Sequence, residues 1–417
     1  MDIHDFQTHS ARALETTRSI IERFGPRLAG TTACLNAARA LQEKLLPFCG
    51  NARLEFFQTH PDAFMGFYRI NVLIYIGCMV FLHLQMPLAA ALGYSFILVA
   101  GFLEFGYYRE FYDPIFPKRT CANLLATLEP QNQVEQQLIV GAHHDSAYEL
   151  TWLRRWQKLY GLKVIVPDII YATGLLFSWI WVFSLLFRGS SPVFSPYLTW
   201  FLTFGILLVL PKFFIVSRHG SPGAGDNLVA SAMLIELAHI FASPGKVGCS
   251  SLQHTRLVFA SFDAEESGLR GSRAFAKLHI DNLQSIPTFM LNIDSIYHID
   301  DIQFLVSDLN DTVPLSRELA EQCARIAGAA GYPQKFMRMV FGGGGTDAAE
   351  LAKVGVKTTT LLAMPTGLVR DGLVYHTLND TVDAVEPGVV EACLRITHGL
   401  VLELDSDCTP NVSTPPQ

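Results

Sequence analysis

The chain has 417 residues, 17% charged and 50% apolar, with 31 Lys and Arg against 38 Asp and Glu for a formal net charge of −7. The acidic balance argues against a nucleic-acid partner. Scarce charge with a positive mean hydropathy excludes an ordinary soluble enzyme of this length and calls for membrane segments.

In chain order, residues 1–43 are polar with helical spacing and read as a helix, not as a cleavable leader. Two apolar stretches follow, Ile70 to Leu84 and Leu88 to Phe105, with only Gln85, Met86 and Pro87 between them. Both lie near the lower limit of spanning length, which predicts a first transmembrane hairpin over 67–106. His83 near the turn, with Arg69 and Glu104 at the ends, leaves a re-entrant or interfacial pair open.

Leu138 to Ala142 (LIVGA) reads as a buried strand that delivers His143-His144-Asp145 to its C-terminal end, where open α/β sheets gather ligand groups. The i, i+2 spacing puts His143 and Asp145 on one side of the chain, so that Asp145 can steer the imidazole while His144 points elsewhere. One such match arises by chance in a chain of this composition.

Val164 to Phe187 and Tyr197 to Val216 predict a second hairpin over 164–216, supported by Trp179, Trp181, Trp200 and Phe201. Lys212, just after Pro211, is expected to snorkel toward an interface. Gly223 to Asn227 (GAGDN) then opens an apolar helix, Leu228 to Phe241, near whose N-terminus Asp226 stands. Taken singly, Asp226 is an N-cap.

Arg256 to Phe262 (RLVFASF) reads as a strand running into Asp263-Ala264-Glu265-Glu266. Adjacent carboxylates repel unless a dication neutralises one and a water shares a proton with the other. A solvated helix start is the plainer alternative. Thr288 to Ile293 is a strand ending in Asp294, and Thr358 to Ala363 is a strand lying before Tyr375-His376-Thr377. Gly342 to Gly345 lacks the Lys and the strand–helix setting of a phosphate loop and reads as a flexible rim beside the substrate pocket. Residues 406–417 are polar, Pro-rich and expected to be disordered. The eight cysteines lack C-x-x-C spacing and read as reduced thiols.

Imidazoles and carboxylates collected at strand ends make a ligand set suited to Zn²⁺, enough for two ions. In order, GAHHDS, GAGDN, EESGLRGS, NID and YHT resemble the pattern of the M28 zinc aminopeptidases, and Gly25 to Leu45 is similar to that family's opening helical region. The resemblance implies that Asp226 bridges two zinc ions, with His143 and Asp294 on one and Glu266 and His376 on the other. It makes Glu265 the general base and Tyr375 a donor to the developing oxyanion, with Asp145 in support of His143. The implied substrate is a peptide with a free N-terminus.

The architecture expected is a three-layer α/β/α fold with a mixed, mostly parallel central sheet and four transmembrane helices. The catalytic domain would be assembled from 1–66, 107–163 and 217–405. Two hairpins are even crossings, so all catalytic segments fall on one side of the bilayer. Basic residues such as Arg69, Arg109, Lys118, Lys158 and Lys163 flank the spans on that side and predict a cytoplasmic catalytic domain next to anionic lipid headgroups. Exposed hairpins can pair, which leaves a homo-oligomer open.

Two alternatives stand beside this reading. A glutaminyl cyclase needs one zinc, held by the equivalents of Asp226, Glu266 and His376, and tends to carry Trp where Tyr375 stands. An inactive membrane scaffold would keep the fold without hydrolysis.

Overall fold

The structure is a computed structural model that describes residues 3–365 and 372–407. Of the expected disordered tail, residues 408–417 lie outside the described residues, while Ser406 and Asp407 complete the last helix, Pro387–Asp407.

The strands are β1 (Arg53–Thr59), β2 (Arg119–Leu128), β3 (Gln136–His143), β4 (Tyr148–Leu150), β5 (Val216–Gly220), β6 (Thr255–Phe262), β7 (Thr288–Ile296), β8 (Ile302–Asp308), β9 (Val313–Pro314), β10 (Lys335–Arg338) and β11 (Lys357–Ala363). Nine of them form one mixed sheet of order β1-β2-β6-β3-β7-β11-β8-β10, with β9 beside β8. Its centre, β6-β3-β7-β11, is parallel throughout. These strands are covered on both faces, which is why their sequences are near-continuous apolar runs.

Alternation along each strand sends successive side chains to opposite layers. Leu138, Val140, Leu257, Phe259, Leu291 and Ile293 join the core under helices Ile3–Phe24, Thr32–Cys49, Val229–Phe241 and Pro387–Asp407. Ile139, Ala260, Phe262 and Met290 face the other way, onto Phe275 and Leu351 of helices Arg270–Leu278 and Ala348–Ala352. The three layers expected from the sequence follow. Helix Thr32–Cys49 shows how the ends are set: Thr31 caps the Cys34 N–H, and Gly50, in the left-handed region at φ 67°, closes the other end. A cap of this kind contributes about 1 kcal/mol.

Two helical pairs leave this body. Ala63–His83 and Pro87–Tyr107 lie between Thr59 and Arg119, which pair across β1 and β2. Tyr160–Arg188 and Ser195–Val209 lie between β4 and β5, whose pairing of Leu150 with Val216 closes that excursion. Each insertion therefore starts and ends at one place. The helices of the first pair have 21 residues each, longer than the apolar stretches that announced them, and reach about 30 Å, the thickness of a bilayer core.

The two pairs share their own apolar interior, built on Tyr75, Leu82, Tyr94, Tyr171, Trp181 and Leu202, and present Leu92, Val99, Leu176, Phe183, Phe204 and Leu207 outward. A contiguous exposed surface of that kind is unsuited to water. A fifth helix long and apolar enough to cross a membrane, Ala224–Phe241, has 89% of its apolar window buried within the chain and belongs to the catalytic core.

Lys212 corrects one expectation. Its ammonium does not snorkel: the side chain is buried, pairs with Asp168 at 2.5 Å, and lies over the rings of Tyr68 and Tyr171. A charge-assisted contact with a carboxylate on the neighbouring helix holds the lysine inward. All seven cysteines among the described residues are free thiols.

Candidate active site

His143 closes β3, and its ring reaches the centre through Nε2. Asp145 supports it from behind, with a carboxylate oxygen 3.3 Å from Nδ1. The same carboxylate accepts the backbone N–H groups of Glu265 and Glu266, each at 3.2 Å. Those two glutamates sit beyond the end of β6, in a turn that Asp263 anchors by accepting the Ala122 N–H at 2.9 Å and the Cys34 thiol at 3.3 Å. The pair is buried or nearly so and precedes helix Arg270–Leu278 by several residues, which removes the solvated helix start as an explanation.

Asp226 is not an N-cap. It lies in a kinked turn before helix Val229–Phe241, joined to Asn227 by a cis peptide bond, and its carboxylate points into the site. One oxygen is 3.4 Å from His143 Nε2 and the other 3.0 Å from His376 Nε2. His376 Nε2 is also 3.0 Å from Glu266, and His143 Nε2 is 3.8 Å from Asp294. Asp294 lies within β7 and not just past it, two residues short of its end. His376 and Ser295, next to two ligating groups, hold positive φ values of 52° and 49°, a conformation that costs about 1–3 kcal/mol for residues with a side chain.

These side chains fall into overlapping sets. The ligating atoms of His143, Asp226 and Asp294 lie within 4.8 Å of one another, and so do those of Asp226, Glu266 and His376. His143 Nε2, His376 Nε2, Asp226 Oδ2 and Glu266 Oε1 are buried and make no hydrogen bond. His376 is the telling case: its Nε2 lies 3.0 Å from two carboxylates and forms a hydrogen bond with neither. Four orphaned buried atoms gathered in one site fit a bound cation.

Electrostatics agrees. Burial pushes Glu265 well above the usual carboxylate range, against the pull of His143. Burial likewise takes Glu266 up to about 7, while His376 works in the opposite direction. For His376 burial favours the neutral ring, but Glu266 and Asp226 outweigh it and raise the group to about 10. Asp226 is held below its ordinary value because His143 and His376 overcome its burial. So many buried acids with so little compensating charge suit an added dication.

The sequence reading passed over three residues. Asp380 accepts the N–H groups of Gly225 at 2.8 Å and Asp226 at 3.3 Å, fixing the turn that presents Asp226. Arg27 is fully buried and donates to the carbonyls of His144, Pro222 and Gly223, each at 2.8 Å, joining the β3 end to that same turn. Asn310 accepts from Gly342 at 2.8 Å and donates to the Phe105 carbonyl at 2.8 Å, so the glycine-rich rim is tied to a helix of the first pair. Arg27 lies inside the Gly25 to Leu45 segment singled out above, and Asp380 follows the YHT motif; the residues around Asn310 did not announce this contact.

The site opens into a cavity of about 870 Å³ whose wall includes Glu265, Glu266, Asp294, Tyr375, His376 and the Gly342–Gly345 rim. Tyr375 stacks on the His376 ring, centroids 3.8 Å apart.

Residues 213–401 match the family model described as peptidase family M28. That match covers a little under half of the chain. The match spans Asp226, Glu265, Glu266, Asp294 and His376, whereas His143 and Asp145 lie before it. Among solved structures, this chain is similar to an aminopeptidase from Aneurinibacillus sp. strain AM-1 (TM-score 0.54, 14% identity, covering 96% of this chain and 95% of that one). It is also similar to Porphyromonas gingivalis glutaminyl cyclase (TM-score 0.55, 12% identity, 95% and 98%). A third is a leucine aminopeptidase precursor from Bacteroides thetaiotaomicron VPI-5482 (TM-score 0.51, 13% identity, 94% and 96%). No curated protein sequence matches the chain. Identities this low speak to the fold, an aminopeptidase-like mixed sheet between helices.

Proposed function

We propose that this protein is a membrane-embedded aminopeptidase working with two zinc ions. The observation that carries the reading is the division of Asp226 between His143 on one oxygen and His376 on the other, which completes two ligand sets where a single-zinc enzyme needs one. His143, Asp226 and Asp294 would hold one ion, and Asp226, Glu266 and His376 the other. When bound, such a pair supplies Lewis acidity toward the scissile carbonyl and brings a water near neutrality in pKa.

The chain's own groups do the rest. Glu265, which lies outside these two ligand sets although it also groups with His143 and Glu266, takes a proton from the attacking water and returns it to the leaving amine. Its burial raises its proton affinity, which suits the return step. Tyr375, on the cavity wall beside His376, donates to the oxygen on which negative charge develops. Asp145 keeps His143 and the Glu265–Glu266 turn in register. A free α-amino group is attracted by the surrounding carboxylates.

The four outward-apolar helices are read as two membrane hairpins, with the catalytic body on the cytoplasmic side where the flanking Lys and Arg lie. The second reading is a glutaminyl cyclase, favoured by the fold shared with the P. gingivalis enzyme. Metal content and product decide between them: two zincs per chain with release of N-terminal residues supports the peptidase. One zinc with pyroglutamate formation would establish the cyclase instead, and no zinc with no turnover would leave a scaffold.

A further inference from the structure

The cavity beside Glu265 does not end at the catalytic body. It continues between the inserted helices, where its wall is made by Ile97, Leu98 and Phe102 from one and Val164 and Ile165 from another. A volume of about 870 Å³ is far more than one amino-acid side chain occupies and lies toward the upper end for whole small-molecule pockets.

The mouth is apolar on both sides. Phe102 and Ile165 are exposed on the helices, and Val340 and Phe341 are exposed on the loop leading into the glycine-rich rim. Phe341 stacks on Phe102 with centroids 5.9 Å apart, so a loop of the catalytic body lies against a helix whose outer surface is otherwise suited to lipid. Asn310 holds that loop and the helix end together. Among the polar groups deep in the cavity, Lys212 pairs with Asp168 and Asn71 accepts from the Tyr112 hydroxyl at 2.7 Å, while the Tyr171 hydroxyl makes no hydrogen bond.

From this continuity we infer that the substrate is an amphipathic amide whose N-terminal residue carries a long apolar chain, lodged between the helices while the scissile bond lies at Glu265. The inference rests on the aminopeptidase reading above. A chain drawn from lipid would enter past Phe102 and Phe341, and the polar leaving part would depart past the glycine-rich rim to water. Each methylene moved from water into the cavity contributes about 0.8 kcal/mol, a factor of about 4.

The test uses the full chain with zinc in vesicles and a series of 2-amino-acid p-nitroanilides with linear side chains of increasing length, all keeping the free amine. kcat/KM is expected to rise about threefold to fourfold per methylene well beyond the length of a leucine side chain. A flat or falling series past that length overturns the inference and leaves the aminopeptidase reading intact, while failure to cleave any anilide overturns both. Partition into the bilayer also favours longer chains, so Leu98→Trp and Ile165→Trp serve as controls that fill the cavity without changing partition. Each is expected to lower the ratio of long-chain to short-chain kcat/KM at least about tenfold. An unchanged ratio in both would show that the cavity does not hold the chain.

Discussion

Asp145 accepts the backbone N–H of Glu265 at 3.2 Å through the same oxygen that lies 3.3 Å from His143 Nδ1. One carboxylate thus links the proposed ligand His143 on β3 to the proposed base Glu265 after β6, two strands paired in parallel register up to His143 and Phe262. Loss of Asp145 is expected to disturb both at once. Asp145→Asn should lower kcat more than it weakens zinc binding, and Asp145→Ala should reduce both, read by steady-state kinetics alongside metal analysis.

Glu265→Gln removes the proton acceptor and leaves both ligand sets whole. Its kcat is expected to fall about 10²- to 10⁴-fold with zinc content unchanged. Activity near that of the parent protein would exclude Glu265 as base.

The shared carboxylate makes the two sets unequal targets. Asp294→Ala is expected to leave one zinc per chain, and Asp226→Ala to lose tight binding at both places, because Asp226 alone belongs to both sets. Equilibrium dialysis followed by metal quantification distinguishes these outcomes, and equal loss in the two variants would contradict a bridging role.

Metal-free protein should lose stability as pH rises. Burial takes Asp308 up to about 6, and Asp263, Asp380 and Glu266 up to about 7, all above the ordinary carboxylate range near 4. A folded-state pKa above the unfolded one means that the folded form binds the proton more tightly. That contribution is full below about pH 4 and is lost as pH rises through about 6 to 7. The Tm of chelator-treated protein is therefore expected to fall from about pH 5 to about pH 7.5, and the rise in Tm on adding zinc to be larger at the higher pH, where protons no longer compete for the carboxylates. A Tm that climbs over that interval without metal would contradict the assignment.

The Lys212–Asp168 pair is asymmetric: the lysine side chain is 4% exposed and the aspartate 49%. Asp168→Asn strands a buried charge, whereas Lys212→Met leaves an aspartate that solvent or headgroups can reach. Thermal unfolding in detergent should show the first as the more damaging, with a loss on the order of 3 kcal/mol. The reverse order would mean that Asp168 is the more deeply buried partner.

Much of the site was legible because its residues sit where apolar runs stop. LIVGA before His143, RLVFASF before Asp263 and TFMLNI before Asp294 are strands covered on both faces, and such strands announce themselves by composition. Asp226 and His376 were less legible taken singly, since each occupies an irregular turn whose shape depends on distant partners, Asp380 for one and the β4 strand for the other, through Leu150 N–H to the His376 carbonyl at 2.9 Å. Lys212 was misread because its partner lies 44 residues away on another helix.

Local pattern by itself determined the four central strands, the apolar helices and the candidate ligating residue types, because burial on a sheet or in a bilayer imposes a period or a length on neighbouring residues. Only the tertiary structure decided that Asp226 is shared between two imidazoles, that Asn310 ties the rim to a helix, and that the catalytic cavity runs on between the inserted helices. Those are contacts between segments remote in the chain, and no spacing rule connects residues whose proximity is set by how strands pair and where insertions close.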